Sequence, residues 1–97
     1  MCIRDRLYNT LKALADPTRL RILKYLSESP STPAELARRL RLRPPTVIHH
    51  LDTLRLARLV HVTLSYQGRR YEARQEQIDS TCQLLNTFMQ GEPTEEH

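Results

Sequence analysis

One segment in the middle of the chain reads Arg43-Pro-Pro-Thr-Val-Ile-His-His-Leu-Asp-Thr-Leu-Arg55, and it predicts a short helix over residues 44–57. Two prolines open it, which suits a first helical turn because backbone N–H groups there have no intrahelical partner. Val47, Leu51 and Leu54 recur at spacings of four and three, so one face is apolar and can dock on a core. The other face carries hydrogen-bonding side chains, namely Thr46, His49, His50, Thr53 and Arg55. This division suits insertion into a nucleic-acid groove, although an ordinary amphipathic surface helix has the same pattern.

Three helices are predicted before this segment. Apolar residues at spacings of four, four and three from Ile3 to Leu14 indicate a first helix over residues 3–14. Asp16-Pro17 is typical of a helix start, and Thr32-Pro33 followed by Glu35 fits a capping box. We expect the inner faces of the second and third helices to hold Leu20, Ile22, Leu23, Leu26, Ala34, Leu36, Ala37 and Leu40. Residues 40–43 then form a turn into helix 44–57. The third helix, this turn and helix 44–57 together make a helix-turn-helix.

A β-hairpin is predicted after the helix-turn-helix. Residues 59–66 are rich in β-branched and aromatic residues, and every second position is apolar. Val60, Val62, Leu64 and Tyr66 are therefore expected on one face of a strand. Gln67-Gly68 makes the turn, and residues 69–73 return as the partner strand. Arg69 and Arg70 lie at the tip, so residues 66–71 form a basic wing suited to a phosphate backbone. A solvated hairpin tip without a ligand is the alternative.

A last helix is predicted over residues 75–90, ended by Gly91 and Pro93, with a disordered tail over residues 91–97. It carries a wide apolar stripe, which with two leucines of the first helix predicts a twofold dimer interface. The residues concerned are Leu7, Leu11, Ile78, Cys82, Leu85, Phe88 and Met89. Packing of the same stripe within one chain is the alternative.

Length and composition predict one small domain over residues 1–97, for which oligomerisation is a common means of burying more surface. The two cysteines are too few for a disulfide framework, and no signal peptide or membrane-spanning run is present, so we expect a cytoplasmic protein. Residues 1–6 resemble adapter-derived starts of translated metagenomic fragments. Two alternatives stay open: a native start, or six non-native residues with native sequence further upstream.

The net charge of +4 conceals a segregation of charge along the chain. Residues 17–71 contain eleven Arg or Lys and three acidic residues, whereas residues 72–97 contain one Arg and six acidic residues. The middle of the chain would therefore attract a polyanion and its end would not. A solvated basic face is the alternative, which this segregation argues against.

Four stretches of the chain together match the pattern of one known family. Leu11-Lys-Ala-Leu-Ala-Asp-Pro-Thr-Arg-Leu-Arg-Ile-Leu23 resembles the opening of ArsR-type winged-helix repressors, and Thr32-Pro-Ala-Glu-Leu-Ala37 resembles the first helix-turn-helix element of that family. Pro45-Thr-Val-Ile-His-His-Leu51 resembles the recognition helix, and residues 68–71 resemble the wing. The resemblance implies a mainly α winged helix-turn-helix of order α-α-α-α-β-β-α, in a dimeric regulator that pairs through its first and last helices.

Two positions depart from the family pattern. The family often has serine where this chain has Ile48, which removes a phosphate or base contact. It often has glycine at the helix exit where this chain has Arg58, so Arg58 is expected to adopt a left-handed backbone.

The family's metal-responsive members prompt a search for ligands, and we expect no metal and no other cofactor. Residues 33–41 contain no cysteine, and Asp79 and Cys82 are joined by no histidine before His97. Zinc and similar ions need three or four converging ligands. A redox switch at Cys82 is an alternative, but cysteine on an apolar stripe usually acts as a small buried hydrophobe. The only glycines are Gly68 and Gly91, so no phosphate loop exists and an enzyme is not expected.

The sequence therefore predicts a regulator that binds specific double-stranded DNA sequences and probes the major groove with helix 44–57. Two alternatives are a protein-binding winged-helix module and the DNA-binding module of a larger, truncated sensor. Side chains near phosphates are expected to be Arg19, Arg38, Arg39, Arg41 and Arg43, with Arg69 and Arg70 acting from the wing. Those expected to face bases are Thr46, His49, His50 and Thr53, with Arg55 on the same surface.

Overall fold

A computed structural model describes residues 3–91. Five helices and one hairpin follow in the order α1 (Ile3–Leu14), α2 (Pro17–Glu28), α3 (Pro33–Leu40), α4 (Pro44–Leu56), β1 (Val60–Ser65), β2 (Gly68–Ala73) and α5 (Gln75–Met89). The predicted winged helix-turn-helix order is confirmed. Of the tail predicted to be disordered, residues 92–97 lie outside the described part.

The predicted helix starts are confirmed in atomic detail. Asp16 caps α2 by accepting a hydrogen bond from the Arg19 backbone N–H at 3.0 Å, and this bond lowers the pKa of the Asp16 carboxyl. At α3 the Glu35 N–H donates to Thr32 Oγ1 at 3.2 Å, and the Thr32 N–H donates to Glu35 Oε1 at 2.9 Å. Each pair satisfies backbone donors that the helix itself cannot.

The core lies between α2, α3, α4 and the base of the hairpin. Its fully buried side chains are Ile22, Leu26, Leu36, Val47, Leu51, Leu54, Leu59, Val60 and Tyr71. Two predicted core positions were wrong, since Leu20 is 52% exposed and Ala34 is also exposed. Each precedes the first buried residue of its helix by two positions, a rotation of about 200°, which places it away from the core.

The hairpin is antiparallel, and its register runs from Val60 opposite Ala73 to Ser65 opposite Gly68. The connecting loop is Tyr66-Gln67, one residue earlier than predicted. Tyr71 anchors the hairpin: its side chain is buried, and its backbone exchanges two hydrogen bonds with Ser31, of 3.0 Å and 2.8 Å. The apolar strand face predicted from the alternation is covered only near the base, since Leu64 is 81% exposed and Tyr66 97%.

Arg58 has φ 63°, which confirms the left-handed backbone predicted where α4 ends. Arg41, the C-cap of α3, is left-handed as well, with φ 57°.

We expect Arg58→Gly to raise the free energy of unfolding by about 0.5–1 kcal/mol. A residue with a side chain pays more to adopt the left-handed conformation than glycine pays in backbone entropy. Urea denaturation would measure this. Arg55→Gly, inside the last turn of α4, is the control and should be destabilising; destabilisation by both would contradict the prediction.

Candidate nucleic-acid interface

The face of α4 predicted to dock on the core does so. Val47, Leu51 and Leu54 are each 0% exposed. The opposite surface is open, and Thr46, His49 and Arg55 are exposed on it as predicted. Helix α3 packs against α4, and residues 41–43 form the turn that connects them. The pair is the helix-turn-helix expected from the sequence.

Thr53 is only half-exposed, and its hydroxyl donates to the His49 carbonyl oxygen at 3.2 Å, one helical turn earlier. The hydroxyl proton is therefore used within the helix. The oxygen keeps its acceptor capacity for a donor on a base or a water.

His50 differs from the other residues expected to face bases, because its ring contacts another helix of the same chain. Its ring is half-buried, and its Nδ1 lies 3.2 Å from Nη1 of Arg19 on α2. Because a guanidinium can only donate, Nδ1 is the acceptor and His50 is neutral in this arrangement. Its side chain therefore holds α4 against α2.

Arg19, expected near a phosphate, also has partners within the protein. Its Nε donates to the Ala13 carbonyl oxygen at 2.6 Å, while Nη1 meets His50. Arg19 thereby connects the end of α1 to the recognition helix. Arg19 and His50 are 31 residues apart and follow no helical spacing, so sequence periodicity could not reveal the contact.

The environment of His50 predicts a pH-dependent stability. Burial lowers the pKa of the imidazole below its usual 6.5, an effect opposed by the Asp16 carboxylate and reinforced by the charges of Arg19 and His49. The unfolded chain then binds this proton more tightly than the folded chain does, so stability is full above about pH 6.5 and falls as the pH drops towards the lower folded pKa.

We expect the thermal midpoint of the wild type to fall between pH 7 and pH 5, and His50→Gln to remove that part of the fall. The carboxyls of Asp16 and Glu35 also have lowered pKa values, because backbone N–H groups donate to them, and they titrate at lower pH. His49→Gln provides the control, since it removes only the smallest of these influences on the pKa of His50 and should retain most of the fall. Identical profiles for wild type and His50→Gln would contradict the assignment.

The arginine side chains around the turn differ in whether they contact other groups of the protein. Arg38, Arg41 and Arg43 are exposed, and the side chains of Arg41 and Arg43 have no hydrogen bond or ion pair within residues 3–91. Arg39 is held, because its guanidinium lies 3.7 Å from the centre of the Tyr25 ring and its Nη2 lies 3.8 Å from Glu28 Oε1. All four predicted cations thus remain exposed, and Arg39 differs from the others in having partners on α2.

The two arginines of the wing lie on opposite faces of the hairpin. Arg69 pairs with Leu64 across the strands, is exposed, and its side chain bonds to no group in the described part of the chain. Arg70 pairs with Thr63, and its guanidinium donates to the Pro30 carbonyl at 3.0 Å and to Gln67 Oε1 at 3.3 Å. It also lies 3.8 Å from Glu35 Oε1. Arg70 thereby connects the wing to the body of the domain.

A shallow groove of about 380 Å³ runs between the wing and α3. Its lining residues are Ser29, Pro30, Ser31, Glu35, Arg38, Arg39 and Arg70. With three arginines and one acid it is positively charged, so it extends the basic surface from the turn towards the wing.

The predicted dimer residues fall into two groups. Leu7 is only 5% exposed and is covered by its own chain, whereas Ile78 packs against the core and stays partly exposed. Leu11, Leu85 and Phe88 are half-buried, and Cys82 and Met89 are exposed. Helices α1 and α5 pack against each other within the chain, which accounts for part of the stripe.

Among residues 3–91 no three His, Cys, Asp or Glu side chains converge as a metal site would require. No helix in this range is long and apolar enough to cross a membrane. The sequence reasoning missed one feature of α4: its exposed surface also carries Ile48 and Leu56, which are 42% and 77% exposed.

Comparisons with known proteins agree with this geometry. The model for bacterial regulatory proteins of the arsR family matches residues 16–62. The transcriptional repressor SdpR of Bacillus subtilis is 35% identical over 85 residues, which are 87% of this chain and 94% of SdpR. An ArsR-like transcriptional regulator from Rhodococcus sp. RHA1 has a similar structure, with a TM-score of 0.83 and 26% identity over 90% of this chain and 82% of its own.

A further solved structure shares the fold at 19% identity. It is the homodimeric winged helix-turn-helix DNA-binding domain of a possible ArsR-family regulator from Mycobacterium bovis, with a TM-score of 0.74 over 96% of this chain and 87% of its own.

A helix-turn-helix with an exposed polar second helix, followed by a basic wing, defines a DNA-binding transcriptional regulator of the winged-helix class. The chain belongs to the arsR family of bacterial regulatory proteins. That family consists of transcriptional regulators rather than enzymes.

Proposed function

We propose that this protein is a repressor that binds a specific double-stranded DNA sequence, with α4 in the major groove and the wing on the backbone. The observation that carries the proposal is the division of α4, whose apolar face is fully buried while Thr46 and His49 are open to solvent. Both side chains can hydrogen-bond to base edges. The guanidinium groups of Arg41 and Arg43, which have no partner within residues 3–91, lie just before the helix, where phosphate contacts would fix its register.

The proposed active form is a homodimer that pairs through α1 and α5. The exposed apolar side chains there support this, since Tyr8 is 60% exposed and Met89 69%, with Leu11, Leu85 and Phe88 half-buried beside them. The homodimeric Mycobacterium bovis domain shows that this fold can pair. Two recognition helices related by a twofold axis would enter half-sites about one helical turn apart.

Repression is proposed because SdpR, a relative matched over 94% of its own length, is named a repressor. We also propose a cytoplasmic location, which follows from the operator being genomic DNA.

The test is fluorescence anisotropy with random genomic duplex at two salt concentrations, together with sedimentation of the same sample. Salt-sensitive binding by a dimer is expected, because release of counterions from contacted phosphates makes affinity fall with salt. Absence of binding at low salt would refute the proposal and favour a module that binds protein. Binding by a monomer would refute the proposed pairing alone.

A further inference from the structure

The recognition helix α4 exposes an aliphatic side chain at one edge of its polar surface, next to the face that packs on the core. Ile48 is 42% exposed and does not belong to the residues packed on the core. It lies in the second turn of α4, in the half of the helix that begins at Pro44. The other exposed aliphatic residue of α4, Leu56, is the last residue of the helix.

The position of Ile48 places it among the side chains that can reach bases. Helical spacing of three and four residues puts Pro44, Ile48, Asp52 and Arg55 along one strip of α4, and all four are exposed. His49 is exposed beside it. In helix-turn-helix proteins the N-terminal residues of the second helix are those that contact base edges. Ile48 is therefore close enough to reach a base edge when the N-terminal half of α4 enters the groove.

The chemistry of isoleucine limits what it can recognise there. Its side chain has neither a donor nor an acceptor, so it cannot read the hydrogen-bonding pattern of a base pair. Among the major-groove features of the four bases, the C5-methyl group of thymine is the apolar one. Contact between the two removes apolar surface of both from water, which is favourable.

We propose that Ile48 is a specificity-determining residue that contacts a thymine methyl group in each operator half-site. This inference rests on the proposed function, since it needs α4 in the major groove. It predicts that the operator carries a T·A pair at one fixed position of each half-site, and that the protein responds to the methyl group itself.

The experiment begins with duplexes selected by the wild-type protein from a random pool. Each thymine is then replaced by deoxyuridine, which lacks only the methyl group and keeps the hydrogen-bonding pattern. We expect one position per half-site at which this replacement weakens binding about fourfold, the effect of burying roughly one methyl group. All Kd values are measured at one salt concentration, because backbone contacts make affinity depend on salt.

Ile48→Ser tests whether this side chain carries the effect. The ratio of the two Kd values, deoxyuridine over thymine, should fall from about four to about one. Ile48→Val, which keeps an apolar surface, should retain most of the ratio. Leu56→Ser removes the other exposed aliphatic residue of α4 and should leave the ratio unchanged. Thermal unfolding of each variant confirms that the fold is intact.

Three results would overturn the proposal. Equal binding of thymine and deoxyuridine at every position would show that no methyl group is read. A ratio that persists in Ile48→Ser would assign the methyl contact to another side chain, such as Thr46. Failure of the wild type to select any duplex would refute the proposed function itself, and the first two results would leave that function standing.

Discussion

Leu51→Ala is expected to lower the free energy of unfolding by about 2–5 kcal/mol, the range for removing a fully buried leucine side chain from a packed core. Leu51 is 0% exposed and sits between Val47 and Leu54 on the only face by which α4 contacts the described core. Domains of this size are stable by roughly 5–15 kcal/mol, so this one substitution would remove a large share of the total. Urea denaturation followed by circular dichroism would measure the effect.

A matched control lies on the same helix. Leu56 is 77% exposed, so Leu56→Ala removes the same atoms without opening a cavity and should change the free energy of unfolding by less than about 0.5 kcal/mol. If the two variants were equally stable, the burial of Leu51 would not be what holds the recognition helix. The comparison therefore separates the contribution of docking from the helix propensity of alanine.

The fold could be predicted from the sequence because its determinants are local. Asp16-Pro17 and Thr32-Pro33 with Glu35 mark helix starts through hydrogen bonds within three residues, and the structure contains both. The left-handed backbone of Arg58 could also be expected from the family pattern. Leu20 was misplaced because the second helix offers apolar residues on more than one side, and only the packing of α2 against its neighbours selects one.

The interface could be predicted only in part, because the state of a long side chain depends on neighbours far away in the sequence. Nothing local distinguishes Arg70 from Arg69, yet Arg70 meets Pro30 and Glu35 across the groove and Arg69 meets neither. Arg19 and His50 illustrate the same limit. Arginine spacing identified a basic surface; it could not show which cations the protein uses internally.

Because Arg69 and Arg70 differ in this way, we expect a large effect on DNA affinity and on its salt dependence when Arg69 is replaced. Arg69→Ala should leave one phosphate at each wing without its cation, because the Arg69 guanidinium is exposed and unengaged within residues 3–91. The slope of log K against log salt should become shallower by about 0.9 for each phosphate that the protein no longer neutralises. At 0.1 M salt a slope change of about 0.9 corresponds to an affinity about eightfold weaker per protomer. The loss of affinity should be similar for all DNA sequences, because a phosphate contact carries no sequence information. Anisotropy titrations on operator and random duplex over several salt concentrations would measure both quantities.

Arg70→Ala is the matched control, since it removes the same charge one residue along the strand. We expect it to change the salt slope less than Arg69→Ala does, because Arg70 already donates to Pro30 and faces Glu35. Removing the Arg70 side chain should instead loosen the wing, which limited proteolysis of the hairpin would detect. Arg69→Lys retains a charge at the tip and should preserve most of the slope. Equal slopes for Arg69→Ala and Arg70→Ala would mean that Arg70 leaves its internal partners when DNA binds, so that the wing rearranges on the backbone.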